Sequence, residues 1–227
     1  AYVAQTSLGA SGHLIESLEC AAVFPGPALL HAHAPSPRRH GFAMDMTLER
    51  ARAAIAARVF PLFRYDPQGE GVFGSRLDLG GNPEPRMSWS TDSVAGAPTP
   101  AHWALGEERF SELFQPLLED ASDPVPLASY LTLGDQERGK KTPFVERGSN
   151  GGEPQRLRVD ERLVRACDER QQAWRMLQEL AGLVTPFTDR VRQEAEEAVA
   201  AERKAELEAQ AADYEGRIRG LQETMRG

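Results

Sequence analysis

The chain has 227 residues, 41% of them hydrophobic and 26% charged, so it can bury a core as one large domain or two small ones. Its 26 Lys and Arg against 34 Asp and Glu give a net charge of -8, which argues against general binding to nucleic acid or anionic membranes. The cysteines Cys20 and Cys167 are too few for a disulfide framework and favour a reducing cytoplasm. We predict no membrane-spanning segment and no signal peptide.

The first predicted helix and strand lie near the N-terminus. After a strand-like opening, apolar residues at three- and four-residue spacing predict a helix over 11–23, which a Pro-Gly-Pro sequence ends. Residues 28–34 alternate as a β-strand that Pro35 stops, with His31 and His33 on one face. Because apolar residues lie on both faces, both faces of this strand could be covered, as in a layered sheet.

A second helix and a further strand follow. Thr47 is placed to cap a helix that has Glu49 in its first turn and an apolar side reaching Val59. Residues 60–65 then return to an extended run. This alternation of strands and helices favours parallel pairing with right-handed crossovers. The predicted fold class is therefore α/β, with a partial parallel sheet.

The middle of the chain, residues 68–157, has a different character. Gly and Pro become frequent and the periodic apolar patterns shorten, which predicts an irregular segment with short helices. Several large apolar side chains are numerous enough to pin this segment onto a neighbouring surface. They are Trp89, Trp103, Phe110, Leu113, Phe114 and Leu117.

The last part of the chain, residues 158–227, is predicted to be helical. A first helix carries apolar residues from Leu163 to Leu180 and is ended by Gly182. A long segment from Thr188 to Met225 follows, rich in Ala, Glu, Arg and Gln, with apolar residues spaced alternately by four and three. These residues are Leu207, Ala211, Tyr214, Ile218, Leu221 and Met225. Packing on its own protein and pairing with a partner helix both stay open.

Histidines are the first candidates for chemistry. His31, His33 and His40 lie within ten residues, and His13 could lie near them. Catalytic zinc takes about three protein ligands, and no Asp, Glu or Cys accompanies these histidines before Asp45. We therefore interpret them as sheet histidines and predict no metal site.

A basic turn follows the predicted strand. Arg38 and Arg39 beside His40 are suited to holding a phosphate or carboxylate, and a solvated basic turn is the favoured alternative. Ser36 lies near His40 but has no third partner for a hydrolase triad. We predict no catalytic residue within this chain.

Four motifs in the first 67 residues carry a family resemblance. They are Tyr2–Gln5 with Gly9-Ala10, Gly26–Leu29, Ala34–Ser36 leading to His40-Gly41, and Leu62–Pro67. Their order and spacing resemble the end of the thiamine-diphosphate-binding domain in pyruvate:ferredoxin (flavodoxin) oxidoreductases, which are single-chain 2-oxoacid oxidoreductases. Residues 1–67 would then be the closing half of that α/β domain, followed by an insertion or extension over 68–157 and a helical segment over 158–227. The segment GKKTPFV at 139–145 resembles a Gly-Lys-x-Pro-Phe element that follows these motifs in the family, which would make residues 68–138 an insertion.

The resemblance implies oxidative decarboxylation of a 2-oxoacid, with electrons passing to an acceptor such as ferredoxin or flavodoxin. It also implies thiamine diphosphate and Mg²⁺, but the family's Gly-Asp-Gly segment and downstream Asn lie upstream of these motifs and are absent from this chain. Residues outside the chain are therefore expected to bind the cofactor, and the chain alone is expected to be inactive. Because the chain opens in a strand-like run without Met, we expect a fragment or one polypeptide of a larger cytoplasmic assembly. Its expected partners are the remainder of the enzyme, sister subunits and further copies in a homo-oligomer.

Ser36 marks a departure from the family pattern. It stands where the family's Ala-Pro-Cys loop supplies a thiolate to the iron-sulfur cluster nearest the thiamine, which makes it the cofactor-binding position of this chain. A hydroxyl replaces a soft thiolate poorly, so we expect the cluster to be lost and the electrons to leave by another route. Ligation by the serine oxygen or by another residue is the alternative. For the whole chain, the competing hypothesis is a noncatalytic interaction or assembly module derived from the family.

Overall fold

The computed structural model describes residues 1–70, 76–87, 98–148 and 154–185, together with 187, 190, 191, 193–204 and 207. The chain divides into two compact units, Ala1–Leu183 and Val184–Gly227. The elements of the first unit are, in order, β1 (Tyr2–Ser7), α1 (Ser11–Val23), β2 (Ala28–His33), α2 (Pro37–His40), a 3₁₀ turn (Met44–Met46), α3 (Thr47–Ala56), β3 (Phe63–Tyr65), β4 (Leu77–Asp78), α4 (Pro100–Ala104), a 3₁₀ helix (Glu108–Leu113), β5 (Phe114–Pro116), β6 (Pro124–Pro126), α5 (Leu127–Tyr130), α6 (Asp135–Arg138), β7 (Thr142–Arg147), β8 (Gln155–Val159) and α7 (Glu161–Leu180).

The first sheet has the strand order β2-β1-β3-β4. β1 and β2 run parallel, from the pair Tyr2 and Ala28 to the pair Ser7 and His33, and α1 is the helix that connects them. The helix α1 has the predicted bounds. A parallel pair joined by a helix, together with a second mixed sheet, confirms the α/β fold class.

The predicted parallel pairing of the third strand is wrong, because β3 pairs antiparallel with β1. The connection from α3 to β3 covers residues 57–62 and turns at Arg58, whose φ is 56°. Leu62 is then held on both sides of its backbone by the side chain of Asn82, at 2.8 Å to its N–H and 2.7 Å to its carbonyl. This short, tightly fixed return brings β3 into the sheet against the direction of β1.

Neither face of β2 is fully covered within the described residues, since Leu29 on one face is 60% exposed and Ala32 on the other is exposed. β2 also lies at the edge of its sheet. His31 and His33 do share a face, as predicted, and both rings contact Phe60, with centroids 5.0 and 4.9 Å from it. The strand is thus paired on one side only within this part of the chain.

The start and end of α3 differ from the prediction. Met46 occupies the N-cap position, and the Thr47 hydroxyl donates to the Met44 carbonyl at 2.6 Å, so Thr47 does not cap the helix. A preceding 3₁₀ turn supplies these contacts. α3 ends at Ala56, before Val59, because the chain turns at Arg58.

A second sheet, with the order β5-β8-β7-β6, lies within the segment that was predicted to be irregular. Its inner side chains join α4 and α7 in one core, in which Trp103 and Phe114 are buried and Phe110 and Leu113 pack at the margin. These four residues hold the segment in place as predicted. Leu117 is partly buried, and Trp89 lies outside the described residues.

The helix α7 confirms the predicted first helix of the C-terminal part. Asp160 caps it by accepting a hydrogen bond from the Arg162 N–H at 2.9 Å. Its buried side chains, spaced to face the core, are Leu163, Val164, Cys167, Trp174 and Gln178. Gly182, with φ 69°, follows its end.

The second unit is helical at each described position between 187 and 207. Of the predicted heptad positions only Leu207 is described, and it is 59% exposed. The other five lie outside the described residues, so the coiled-coil hypothesis stays a prediction. No helix within the described part of the chain is long and apolar enough to cross a membrane.

Candidate functional site

The candidate site is the loop at the carboxyl end of β2, which is where ligands collect in open α/β sheets. Ser36 is extended, and Pro37 begins the single turn of α2, where a missing N–H costs nothing. Gly41 ends the turn with φ 73°, a conformation that favours glycine. The sequence Ser-Pro-Arg-Arg-His-Gly therefore encodes a compact one-turn loop.

Residues of the inserted segment pack directly on this loop. The N–H of Glu108 donates to the Gly41 carbonyl at 3.1 Å. A Cβ atom added to Gly41 would lie 2.4 Å from the Cβ of Glu108. The glycine of the His-Gly motif is thus needed both for its backbone angle and for this close approach.

Glu107 is the most buried charged group near the loop, with no side-chain exposure. Arg109 donates to its Oε2 from Nη2 at 2.6 Å and from Nε at 2.7 Å. Its other oxygen, Oε1, lies 3.6 Å from Nδ1 of His40. Both of these atoms are buried without a hydrogen-bond partner. A buried carboxylate is stable only when it is paired, and here it stands between a guanidinium and an imidazole.

His33 lies on the same side of the loop, stacked on Phe60. Burial lowers the pKa of His33, and the nearby His40, Arg109 and His31 lower it further. The imidazole of His33 is therefore neutral at pH 7. Its Nδ1 is buried without a hydrogen-bond partner.

The basic residues of α2 sit at its C-terminal end. Arg38 and Arg39 are both exposed and occupy the last turn with His40. Cations at this end of a helix are favourable, because the backbone carbonyls there carry partial negative charge. The arrangement explains the basic turn by local electrostatics alone.

Ser36 does not have the neighbours that an iron-sulfur cluster needs. Within the described residues, no group of three or more His, Cys, Asp or Glu side chains is placed to hold a metal ion. Cys20 is exposed on α1, and Cys167 is buried in α7, where burial raises the pKa of its thiol to about 12. A hydroxyl lacks the thiolate character of a cluster ligand. The described residues therefore do not fit an iron-sulfur cluster.

The site combines histidines that were predicted to lie close together with charged residues that were not predicted to belong to it. His33 and His40 come together as the sequence suggested, whereas His13 is buried elsewhere, against Thr6 at 3.0 Å. Glu107 and Arg109 were not predicted as site residues. The sequence feature that could have indicated them is the charged run Gly-Glu-Glu-Arg between Trp103 and Phe110. The run has no helical or strand periodicity, and nothing in the neighbouring sequence indicates that it packs against His40.

Comparison with known proteins finds partial-length relatives that are named pyruvate oxidoreductases or pyruvate synthase. No family model matches it. It is 31% identical over 113 residues to the probable pyruvate-flavodoxin oxidoreductase of Escherichia coli K12, a match that covers 49% of this chain and 8% of the relative. The pyruvate:ferredoxin oxidoreductase of Moorella thermoacetica is 40% identical over 68 residues, covering 30% of this chain and 6% of the relative. The chain is related to the pyruvate:ferredoxin (flavodoxin) oxidoreductases.

A third relative of this oxidoreductase family is a separate subunit. PorB of the Methanosarcina barkeri pyruvate synthase is 35% identical over 65 residues, covering 29% of this chain and 22% of that subunit. The matches thus span less than a quarter of each relative's length. They confirm the family resemblance, but matches of this length do not establish an activity for this chain.

Proposed function

We propose that this chain is the C-terminal part of a thiamine-diphosphate-dependent 2-oxoacid oxidoreductase. The complete enzyme would decarboxylate a 2-oxoacid oxidatively and pass electrons to an acceptor. The observation that carries the proposal is the parallel pair β1 and β2, with the motif loop at the carboxyl end of β2. The names of the three relatives support the same reaction class.

The unpaired edge of β2 supports an attachment to the rest of the enzyme. β2 reads as a nearly continuous apolar strand, which is typical of a central strand in a parallel sheet. Leu29 on β2, and Ile15, Leu18 and Val23 on α1, are exposed by 49% to 82%. An exposed apolar edge strand readily takes up another strand. We infer that a strand of the remaining enzyme, or of a sister subunit, pairs with β2.

Thiamine diphosphate, bound with Mg²⁺, supplies the carbanion chemistry that such a decarboxylation needs. In this proposal it is held mainly by residues outside the chain. The chain contributes the closing strands of the sheet and the loop with Ser36, His33 and His40. Because the donors around Ser36 do not fit a cluster, we propose that the cluster nearest the thiamine is lost in this relative.

The attachment through β2 is tested with a matched pair of leucine substitutions. L29K places a charge on the exposed face of β2, and L118K places one on Leu118, which is 68% exposed in the second-sheet region. In the isolated chain both substitutions should change the unfolding free energy by less than about 0.5 kcal/mol. When this chain and the rest of the enzyme are expressed as two separate polypeptides, L29K should abolish their co-purification and L118K should not. Equal behaviour of the two variants would contradict the proposal.

The reaction is tested on the anaerobically purified native assembly. Oxidation of a 2-oxoacid such as pyruvate should reduce a viologen dye or flavodoxin, and should require thiamine diphosphate. An intact assembly that reduces neither acceptor with any 2-oxoacid would favour the noncatalytic assembly module instead.

Loss of the cluster is tested by replacing the family ligand. S36C restores the thiolate, and S129C adds one at Ser129, an exposed position on α5. The other ligands of the cluster would come from residues outside this chain, so the purified native assembly should gain bound iron with S36C and none with S129C. Iron already bound beside Ser36 in the unaltered protein would refute the loss.

A further inference from the structure

We infer that Glu107 is a positioning residue that fixes the tautomer of His40, with the proton on Nδ1 and with Nε2 available to accept a hydrogen bond or a proton from a hydroxyl or amine ligand. The relation goes beyond the proposed function, since neither the family resemblance nor the relatives' names assign a role to these residues. It rests on three features: burial of the facing atoms, the anchor provided by Arg109, and the partial exposure of the His40 ring.

The first feature is the isolation of the two facing atoms. Oε1 of Glu107 and Nδ1 of His40 are 3.6 Å apart, and each is buried with no other hydrogen-bond partner. This separation is longer than a hydrogen bond, but a small rotation of either side chain closes it. Buried polar atoms nearly always have a hydrogen-bond partner, and these two atoms face each other without another partner. A carboxylate oxygen can only accept, so the proton belongs on Nδ1.

The second feature is the anchor on the far side of the carboxylate. Arg109 donates to Oε2 of Glu107 from two nitrogens, at 2.6 and 2.7 Å. The guanidinium is itself held over the Phe110 ring, 4.6 Å from its centroid. Oε2 is thus committed to Arg109, which leaves Oε1 directed at His40. The carboxylate of Glu107 therefore lies between the guanidinium of Arg109 and the imidazole of His40.

The third feature is access to the opposite nitrogen. The His40 side chain is 18% exposed, and Nε2 is not among the buried unpartnered atoms. His33 beside it is held neutral by burial, so it brings no fixed charge to the loop. A carboxylate that holds one imidazole nitrogen leaves the other with a lone pair for a ligand. The ligand class that fits is a hydrogen-bond donor reaching the end of β2.

The test is the tautomer of His40, measured by ¹H–¹⁵N correlation of its ring nitrogens. The measurement is made in alkaline buffer, and the protonated nitrogen is identified from the ¹⁵N shifts of the two ring nitrogens. In the unaltered chain the proton should be found on Nδ1. A proton on Nε2 would overturn the inference.

A matched pair of substitutions sharpens the test. In E107Q, Arg109 still requires an oxygen, so the new amide directs its NH₂ group at His40, and Nδ1 must become an acceptor. The proton should therefore move to Nε2. E108Q changes the exposed neighbouring carboxylate and should leave the proton on Nδ1.

Each result decides the question. An E107Q spectrum that keeps the proton on Nδ1 overturns the inference, as does an E108Q spectrum that loses it. Should E107Q fail to fold, the unaltered chain decides alone. None of these results depends on whether the complete enzyme oxidises 2-oxoacids, so the inference and the proposed function fail separately.

Discussion

The guanidinium of Arg58 lies over the indole of Trp174, with its central carbon 4.1 Å from the ring centroid. Arg58 is only 4% exposed and Trp174 only 1%. The guanidinium also donates to the carbonyls of Pro83 and Glu84. Burial lowers the pKa of Arg58 to about 10, which still leaves it charged at neutral pH. This cation–π contact joins the turn before β3 to the middle of α7.

Removing the indole should weaken that junction strongly. W174A loses the stacked face, the buried volume and the hydrogen bond from Nε1 to the Met87 carbonyl at 3.0 Å. We expect the free energy of unfolding in urea to fall by about 3–5 kcal/mol. W174F keeps an aromatic face and loses the hydrogen bond, so its unfolding free energy should fall by no more than half as much as that of W174A. Equal losses for both variants would show that the aromatic face contributes nothing.

Stability should fall on mild acidification because several histidines are buried. Burial lowers the pKa of His13, His33 and His102. The unfolded chain then binds protons below about pH 6.5 that the folded chain does not, so folding stability falls as the pH drops from there toward the lowered pKa values. Each histidine contributes at most about 1.4 kcal/mol per pH unit.

The acid dependence is measured as urea unfolding between pH 7.5 and 5. H13N removes one of the three groups and should reduce the slope of stability against pH. S129N alters an exposed residue on α5 that does not titrate, and it serves as the control. A flat profile for the unaltered chain would contradict the expectation.

The ion pair between Arg138 and Asp168 should contribute more than an exposed pair. Two nitrogens of Arg138 contact the two carboxylate oxygens at 2.7 and 3.1 Å. The same guanidinium donates to the carbonyls of Leu131 and Leu133. D168A leaves this half-buried charge without its partner, and we expect a loss of about 1–3 kcal/mol in unfolding free energy.

The exposed pair Arg165–Glu161 on α7 provides the control, since its side chains are 69% and 85% exposed. E161A should cost less than about 0.5 kcal/mol. The two losses are compared by urea denaturation in the same buffer. A loss from E161A as large as that from D168A would contradict the ranking by burial.

Two glycines near the N-terminus should respond oppositely to alanine. A Cβ at Gly9 would lie 2.7 Å from backbone atoms of Ala51 and Arg52 in α3, whereas a Cβ at Gly12 in α1 meets nothing within 4 Å. G9A should lower the free energy of unfolding by about 1–3 kcal/mol, because the backbone of α3 must move to make room for the methyl group. G12A should raise it by up to about 1 kcal/mol through helix propensity. Thermal unfolding of both variants checks the signs.

Local signals identified the elements whose contacts are local. The helices α1 and α7 and the proline stop after β2 agree with the structure, but the buried side chains of α1 are His13 and Ser17, and its apolar Ile15 and Leu18 are exposed. The direction of β3 was missed because it depends on Arg58 at φ 56° and on Asn82, which lies 20 residues beyond Leu62. No local pattern reports such a contact.

The second sheet was missed for a related reason. β5 and β6 have three residues each and contain prolines, which weaken a strand signal in the sequence. Both strands lie at the edges of their sheet, where proline is tolerated, and their partners β8 and β7 come from later in the chain. Ser36 and the histidines could be placed at the end of a strand from sequence, but the approach of Glu107 to His40 required the tertiary structure.

The contact of Gly41 with Glu108 carries a consequence for protein engineering. With no room for a single methyl group between them, neither surface can be exchanged without the other. A chimera that transplants the serine-containing turn into a homologue must bring the stretch from Thr99 to Leu113 along with it, and deleting that stretch would remove the contact that supports the turn.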